Sequence, residues 1–207
     1  FLYLYLMKKV IYLALIATLI GCKPDIKVVN IVKATPQKIK TVIQILPFSD
    51  VDQSKVVYLT SKLKEVFDSV VVLKSENIPK QAYYKPRNRY RANNILDYMK
   101  SNYKGNVVAI TEKDISIPTK DIPDHGILGL GSLYTNKCII SSYRCKKKNI
   151  NFELYKLALH EIGHTFTLNH CPEASCTMNA GNKTNNLKPT FCNKCKDFLI
   201  KVGWKLK

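Results

Sequence analysis

Apolar positions along this chain alternate between two rhythms. Ile39–Leu46 (IKTVIQIL) is a β-rich run, and Gln53–Phe67 then sets Val56, Leu59, Leu63, Val66 and Phe67 on one helical stripe. Val70–Leu73 is a short buried-strand run. Within Asn93–Tyr103, residues Ile95, Leu96, Met99 and Tyr103 share a helical face, and Asn106–Thr111 (NVVAIT) returns to strand. His125–Leu133 and Lys137–Tyr143 are two further strand candidates across a Tyr134-Thr135-Asn136 turn, and a last helix covers about Ile150–Thr167. The order strand–helix–strand–helix–strand, then two strands and a helix, predicts an α/β (α+β) fold in which helices flank a mixed sheet. There is no internal repeat, and Lys146-Lys147-Lys148 reads as a solvated loop.

The first forty residues carry a different pattern. Met7-Lys8-Lys9 precedes one apolar run, Val10–Ile20 (VIYLALIATLI). Eleven residues are too few to cross a bilayer, which takes about 20. A short basic stretch before such a run has the layout of a secretory leader. The run ends in Leu19-Ile20-Gly21-Cys22, which has the form of a lipobox, with cleavage before Cys22 and acyl chains on that cysteine. A buried core segment that happens to end in Gly-Cys is the alternative. Residues Phe1–Leu6 read as sequence upstream of a true start at Met7. Residues 22–38 are polar and punctuated by proline, as suits a tether. The expected organisation is therefore a leader over 1–21, a lipid-anchored tether over 22–38 and a folded domain over 39–207. That layout implies an exported, membrane-anchored lipoprotein of a bacterial cell envelope, monomeric apart from its membrane.

Composition narrows the partners. Of 207 residues, 46% are hydrophobic and 23% charged, which excludes a disordered tail, a collagen-like chain and a multi-span membrane protein. Lys and Arg number 33 against 15 Asp and Glu, for a net charge of +18. Only Arg87, Arg89, Arg91 and Arg144 are arginines; the other 29 cations are lysines. Such an excess suits nucleic acid, an anionic membrane or merely a lysine-rich background. An exported protein does not meet chromosomal DNA, and no motif interleaves these lysines with stacking aromatics. Arg87-Asn88-Arg89-Tyr90-Arg91 is the nearest approach, and it is short, so no nucleic-acid partner is expected. Attraction to anionic head groups or surface polymers stays open.

The chemistry lies in the last fifty residues. His160-Glu161-Ile162-Gly163-His164 is an H-E-x-x-H motif. Residues four apart on a helix share a face, so His160 and His164 can offer imidazole nitrogens to one Zn²⁺, with Glu161 placed to polarise the metal-bound water. His170 is the expected third ligand, and the chain must turn soon after His164 to bring it back. Three of the four histidines fall in this register, against a chance pair of surface histidines. Cys171-x4-Cys176 and Cys192-x2-Cys195, fifteen residues apart, have the spacing of a Cys₄ structural zinc site. In an exported protein, two disulfides are the alternative. Cys138 and Cys145 form an even pair that spacing alone leaves as a disulfide or two thiols.

Taken together, His160-Glu161-x-x-His164-x-x-Thr167-x-x-His170-Cys171-x4-Cys176-x-Met178 and Cys192-x-x-Cys195 resemble the archaemetzincins, zinc metallopeptidases of the metzincin clan. Pro79–Ala92, Ile110–Asp114 and Gly126–Arg144 also look like segments of that family, so the likeness runs from about Lys40 to Lys201. It implies a twisted mixed sheet, one catalytic and one structural Zn²⁺ per chain, Met178 in a Met-turn under the catalytic zinc, and a peptide or protein substrate. The substrate would lie extended along the strand near Gly126–Ser132. It also makes Arg87–Arg91 part of the fold. A non-catalytic, zinc-stabilised peptide-binding lipoprotein is the alternative, favoured only by Thr167, where the family has Gly. A β-branched residue tolerates φ > 0 poorly, so the sequence predicts that this loop has relaxed to φ < 0. The gap between Cys176 and Cys192 is also shorter than is usual in the family, which trims a loop without moving ligands.

Overall fold

The computed structural model describes residues 40–181 and 188–206. The leader, Cys22 and the tether lie outside the described residues. In chain order the elements are β1 (Val42–Pro47), α1 (Gln53–Lys64), β2 (Ser69–Val72), β3 (Tyr83–Tyr84), β4 (Arg89–Arg91), α2 (Ala92–Asn102), β5 (Asn106–Thr111), β6 (Ile115–Ile117), β7 (His125–Ile127), β8 (Gly129–Gly131), β9 (Lys137–Ser141), α3 (Ile150–Thr165) and α4 (Asn193–Lys201).

A five-stranded sheet of order β2-β1-β5-β9-β8 carries the fold. Its first four strands are parallel, and β8 runs antiparallel to β9 at the edge. Side chains alternate across it. Ile43, Ile45, Val108, Ile110, Cys138 and Ile140 pack with α1 and α3 in one core. Leu46, Val107, Ala109 and Ile139 pack with α2 in the other. Burial on both faces explains why β5 and β9 read as unbroken apolar runs. Asp52 caps α1 by accepting the Ser54 amide at 2.7 Å. The helix stops at Lys64, short of the expected Phe67, yet Val66 and Phe67 still enter the core, where Phe67 meets Trp204 edge-on at 4.7 Å.

A second sheet, β3-β4-β6-β7, joins short strands, of which the hydrophobic pattern reveals only the residues of β7. The single strand expected over His125–Leu133 is in fact two. β7 pairs with β6 in the second sheet and β8 pairs with β9 in the first. Leu128 joins them, its carbonyl accepting the Ser141 amide at 2.8 Å. One segment thus forms an outer edge of both sheets.

All four arginines converge on two buried carboxylates. Arg144 holds Asp114 in a bidentate pair at 2.7 and 2.9 Å. Arg89 bridges Asp114 at 2.7 Å and Asp124 at 2.8 Å, and Arg91 reaches Asp124 at 3.1 Å. Arg87 lies 3.5 Å from Asp124. The planar fork of arginine suits shared carboxylates in a way that the flexible ammonium of lysine does not. The Arg87–Arg91 cluster therefore serves the fold, with Arg87 at its exposed end.

Candidate metal centre

Helix α3 packs on β8 and β9, and its last turns carry His160, Glu161 and His164. The helix ends in a Schellman motif. The Leu168 amide returns to the Gly163 carbonyl at 3.1 Å, and the Thr167 amide to the His164 carbonyl at 2.9 Å. Thr167 occupies the left-handed position of that motif with φ of 69°. The relaxed loop expected from its β-branched side chain is not what forms. Closing both hydrogen bonds and burying Leu168 require a left-handed residue here, whatever its side chain.

The turn delivers His170 to the histidine pair. The ligating atoms of His160, His164 and His170 all lie within 4.8 Å of one another. His160 Nδ1 is 2.7 Å from the Thr177 carbonyl, and His164 Nδ1 is 2.7 Å from the Leu168 carbonyl. A carbonyl only accepts, so both Nδ1 atoms carry the proton and both Nε2 atoms are bare. These two Nε2 atoms face each other at 3.1 Å. Two lone pairs so placed cannot hydrogen-bond, but they suit a cation. Ligands at 2.0–2.1 Å on a tetrahedral Zn²⁺ would stand about 3.3 Å apart. Burial, joined by the neighbouring imidazoles, pushes His160 down to about 4, and burial also lowers His164. Both rings are therefore in the neutral, ligating form at neutral pH.

Glu161 lies against the sheet edge at β8 and is 6% exposed. Burial raises its carboxyl to about 8, against a hydrogen bond from the Gly131 backbone. Two glycines of β8 make its place. A Cβ on Gly129 would stand 2.7 Å from Glu161 Oε1, and one on Gly131 would stand 2.5 Å from the Glu161 carbonyl. Beneath the helix, Met178 is fully buried, and a Cβ on Gly163 would approach its sulfur to 2.6 Å. Residue spacing did not single out Gly129, Gly131 or Gly163, nor the Thr177 and Leu168 carbonyls. Glycines at 126, 129 and 131 in a strand-like run were the available signal for a close backbone approach.

Cys171, Cys176, Cys192 and Cys195 form a second cluster, their sulfurs within 4.8 Å of one another. Cys171 and Cys192 stand 3.7 Å apart, against about 2.05 Å for a disulfide. Tetrahedral thiolates at 2.3 Å from Zn²⁺ would be about 3.8 Å apart, so this cluster also fits the metal. Cys192 and Cys195 are placed by the start of α4, and Cys171 is fixed by its backbone N–H, which donates a hydrogen bond to the Met178 carbonyl at 2.8 Å. Cys138 and Cys145 are buried free thiols.

Known proteins share these features. A profile of peptidase family M54 matches residues 63–201. The chain belongs to this family, the archaemetzincins. The archaemetzincin of Nanoarchaeum equitans is 34% identical over 152 residues, spanning 71% of this chain and 84% of that protein. That of Halobacterium salinarum is 27% identical over 171 residues, spanning 74% and 96%. The crystal structure of the Archaeoglobus fulgidus archaemetzincin, complexed with malonate, is similar with a TM-score of 0.64 at 25% identity, covering 76% of this chain and 99% of that one. The mixed sheets and flanking helices are thus the archaemetzincin fold, and the archaemetzincin described here is a zinc metallopeptidase that hydrolyses peptide or protein substrates.

Proposed function

We propose that His160, His164 and His170 hold a catalytic zinc and that Glu161 is the general base and acid of peptide hydrolysis. The convergence of three imidazoles beside a carboxylate seated under an edge strand carries this reading. When bound, zinc supplies Lewis acidity that activates water and offsets charge on the scissile carbonyl oxygen. The chain's own residues do the rest. The Thr177 and Leu168 carbonyls fix the two ring tautomers. The free edge of β8 lends backbone N–H and C=O groups to an extended substrate. The charge of a zinc ion beside it would lower the Glu161 carboxyl from its metal-free value, and the ionised Glu161 takes the proton of the attacking water and passes it to the leaving amine. The four cysteines hold a second, structural zinc. The turn at Thr167 delivers His170 to the cluster, which supports an enzyme over a non-catalytic binding module.

Glu161→Ala should leave zinc content unchanged while lowering turnover by about 10²–10⁴-fold. Zinc lost from the histidine site in that variant would show the role to be misassigned.

The same reading makes the protein an exported, monomeric lipoprotein, processed after residue 21 and tethered through lipid on Cys22 by residues 22–38. The Leu19-Ile20-Gly21-Cys22 box supports it. On fractionating bacterial cells, wild type should be found with membranes and Cys22→Ser should differ; identical partition would remove the anchor.

A further inference from the structure

Helices α1 and α3, the segment 188–191 and the chain's last residues enclose a groove of about 830 Å³, on the face of the sheet opposite α2. Aromatic rings, Tyr155 and Phe191 among them, line it together with Lys62, Lys188, Lys196 and Lys205. Lys62 is paired with Glu65 at 2.8 Å and Lys205 with Asp68 at 2.9 Å. Lys188 and Lys196 have no ion pair among the described residues, so the groove presents two uncompensated cations beside apolar rings.

The chain enters the domain beside this groove. The Thr41 amide donates to Asp68 at 3.1 Å, and the Thr41 hydroxyl reaches the Val202 and Gly203 carbonyls at 3.5 Å. Asp68 is the partner of Lys205, so the N-terminal segment joins the fold one ion pair from the groove. Residues 23–40 can span no more than about 60 Å even when fully extended. A lipid on Cys22 would therefore hold the domain within about that distance of a membrane surface.

We propose that the groove docks anionic phospholipid, with the phosphate against Lys188 and Lys196 and the adjoining carbons against the aromatic rings. Lysine suits this place because its stem lies along apolar surface while its ammonium reaches the head group. Cations close to an anionic leaflet each strengthen binding about fivefold. A second contact beside a tether also gains from the high local concentration that the tether imposes. The occupant follows from the tethered reading, but the interaction can be measured without any lipid on the protein.

Lys38–Lys207 make one compact unit, so the mature chain from residue 22, carrying Cys22→Ser, is the protein to use. It should sediment with vesicles of phosphatidylglycerol and phosphatidylcholine and not with phosphatidylcholine alone. Lys188→Gln with Lys196→Gln should weaken that binding about 25-fold at unchanged melting temperature. Lys100→Gln with Lys120→Gln, which removes the same charge from exposed positions outside the groove, should weaken it far less. Equal binding to both vesicles would overturn the proposal, and so would equal loss in the two double variants, which would reduce the effect to net charge. Cell fractionation of the Cys22→Ser precursor after a high-salt wash, which strips electrostatic contacts and leaves acyl chains in place, reports on the lipid alone, so the two readings fail separately.

Discussion

Thr167 holds a backbone conformation that costs a β-branched residue about 1–3 kcal/mol, and it is exposed, so its side chain packs on nothing that would offset this. Glycine would relieve that strain and would add back up to about 1 kcal/mol through the freedom it gives the unfolded chain. Thr167→Gly should therefore keep both metal clusters and raise the melting point of zinc-loaded protein by about 2–4 °C. An unchanged or lower midpoint would show that the turn carries no strain. Local propensity was a poor guide at this position because the return of His170 demands the left-handed turn. At the histidines and cysteines the sequence was legible for the opposite reason. Which of these side chains gather is written directly into spacing, four residues along a helix for His160 and His164 and short loops for the cysteine pairs.

Elements were legible where both faces of a strand or one full stripe of a helix is buried. β5 forms over the residues its apolar run predicts, Asn106–Thr111. β3, β4 and β6 hold two or three residues each, too few for an alternating pattern to show. α4 escaped because only Cys195 and Leu199 of its nine residues are buried. β7 and β8 merged into one expected strand because no polar break separates them, and the glycines within the two strands read as weak strand. Those glycines have a cost if changed. Gly129→Ala drives a methyl group into the Glu161 carboxylate, so peptide hydrolysis should fall at least tenfold while the histidine zinc stays; wild-type activity would mean Glu161 has room to move. The second sheet has its own exposure to acid. Burial pushes the Asp124 carboxyl up, but hydrogen bonding and the Arg89 and Arg91 guanidiniums outweigh this and hold it below the usual value. A carboxyl with a depressed folded pKa stabilises above about pH 4 and loses that contribution as pH falls through the folded value. Asp124→Asn should thus cost about 3 kcal/mol at pH 7 and less at pH 3. Urea melts at both values would show this, and a constant difference would contradict it.

On the scale of the whole molecule, the described residues hold no helix long and apolar enough to cross a membrane. The fold instead gathers its chemistry at one end of α3, and there His170 and Cys171 sit side by side in the chain, one in each metal cluster. A single peptide bond therefore joins two ligand sets. Filling either set restrains the backbone that the other needs, which makes the two occupancies thermodynamically linked, by about 5–150-fold if this coupling has the usual size. Linkage also runs equally in both directions. In zinc titrations against a competing chelator, Cys195→Ser should weaken the histidine set by a given factor. His164→Ala should weaken the thiolate set by that same factor, and independent affinities in the two variants would mean that the shared segment is rigid without either ion. With zinc in both sets, as proposed, the protein would take up its metal as a unit: partly loaded forms would be scarce, and loss of the thiolate ion would be felt as loss of the peptidase.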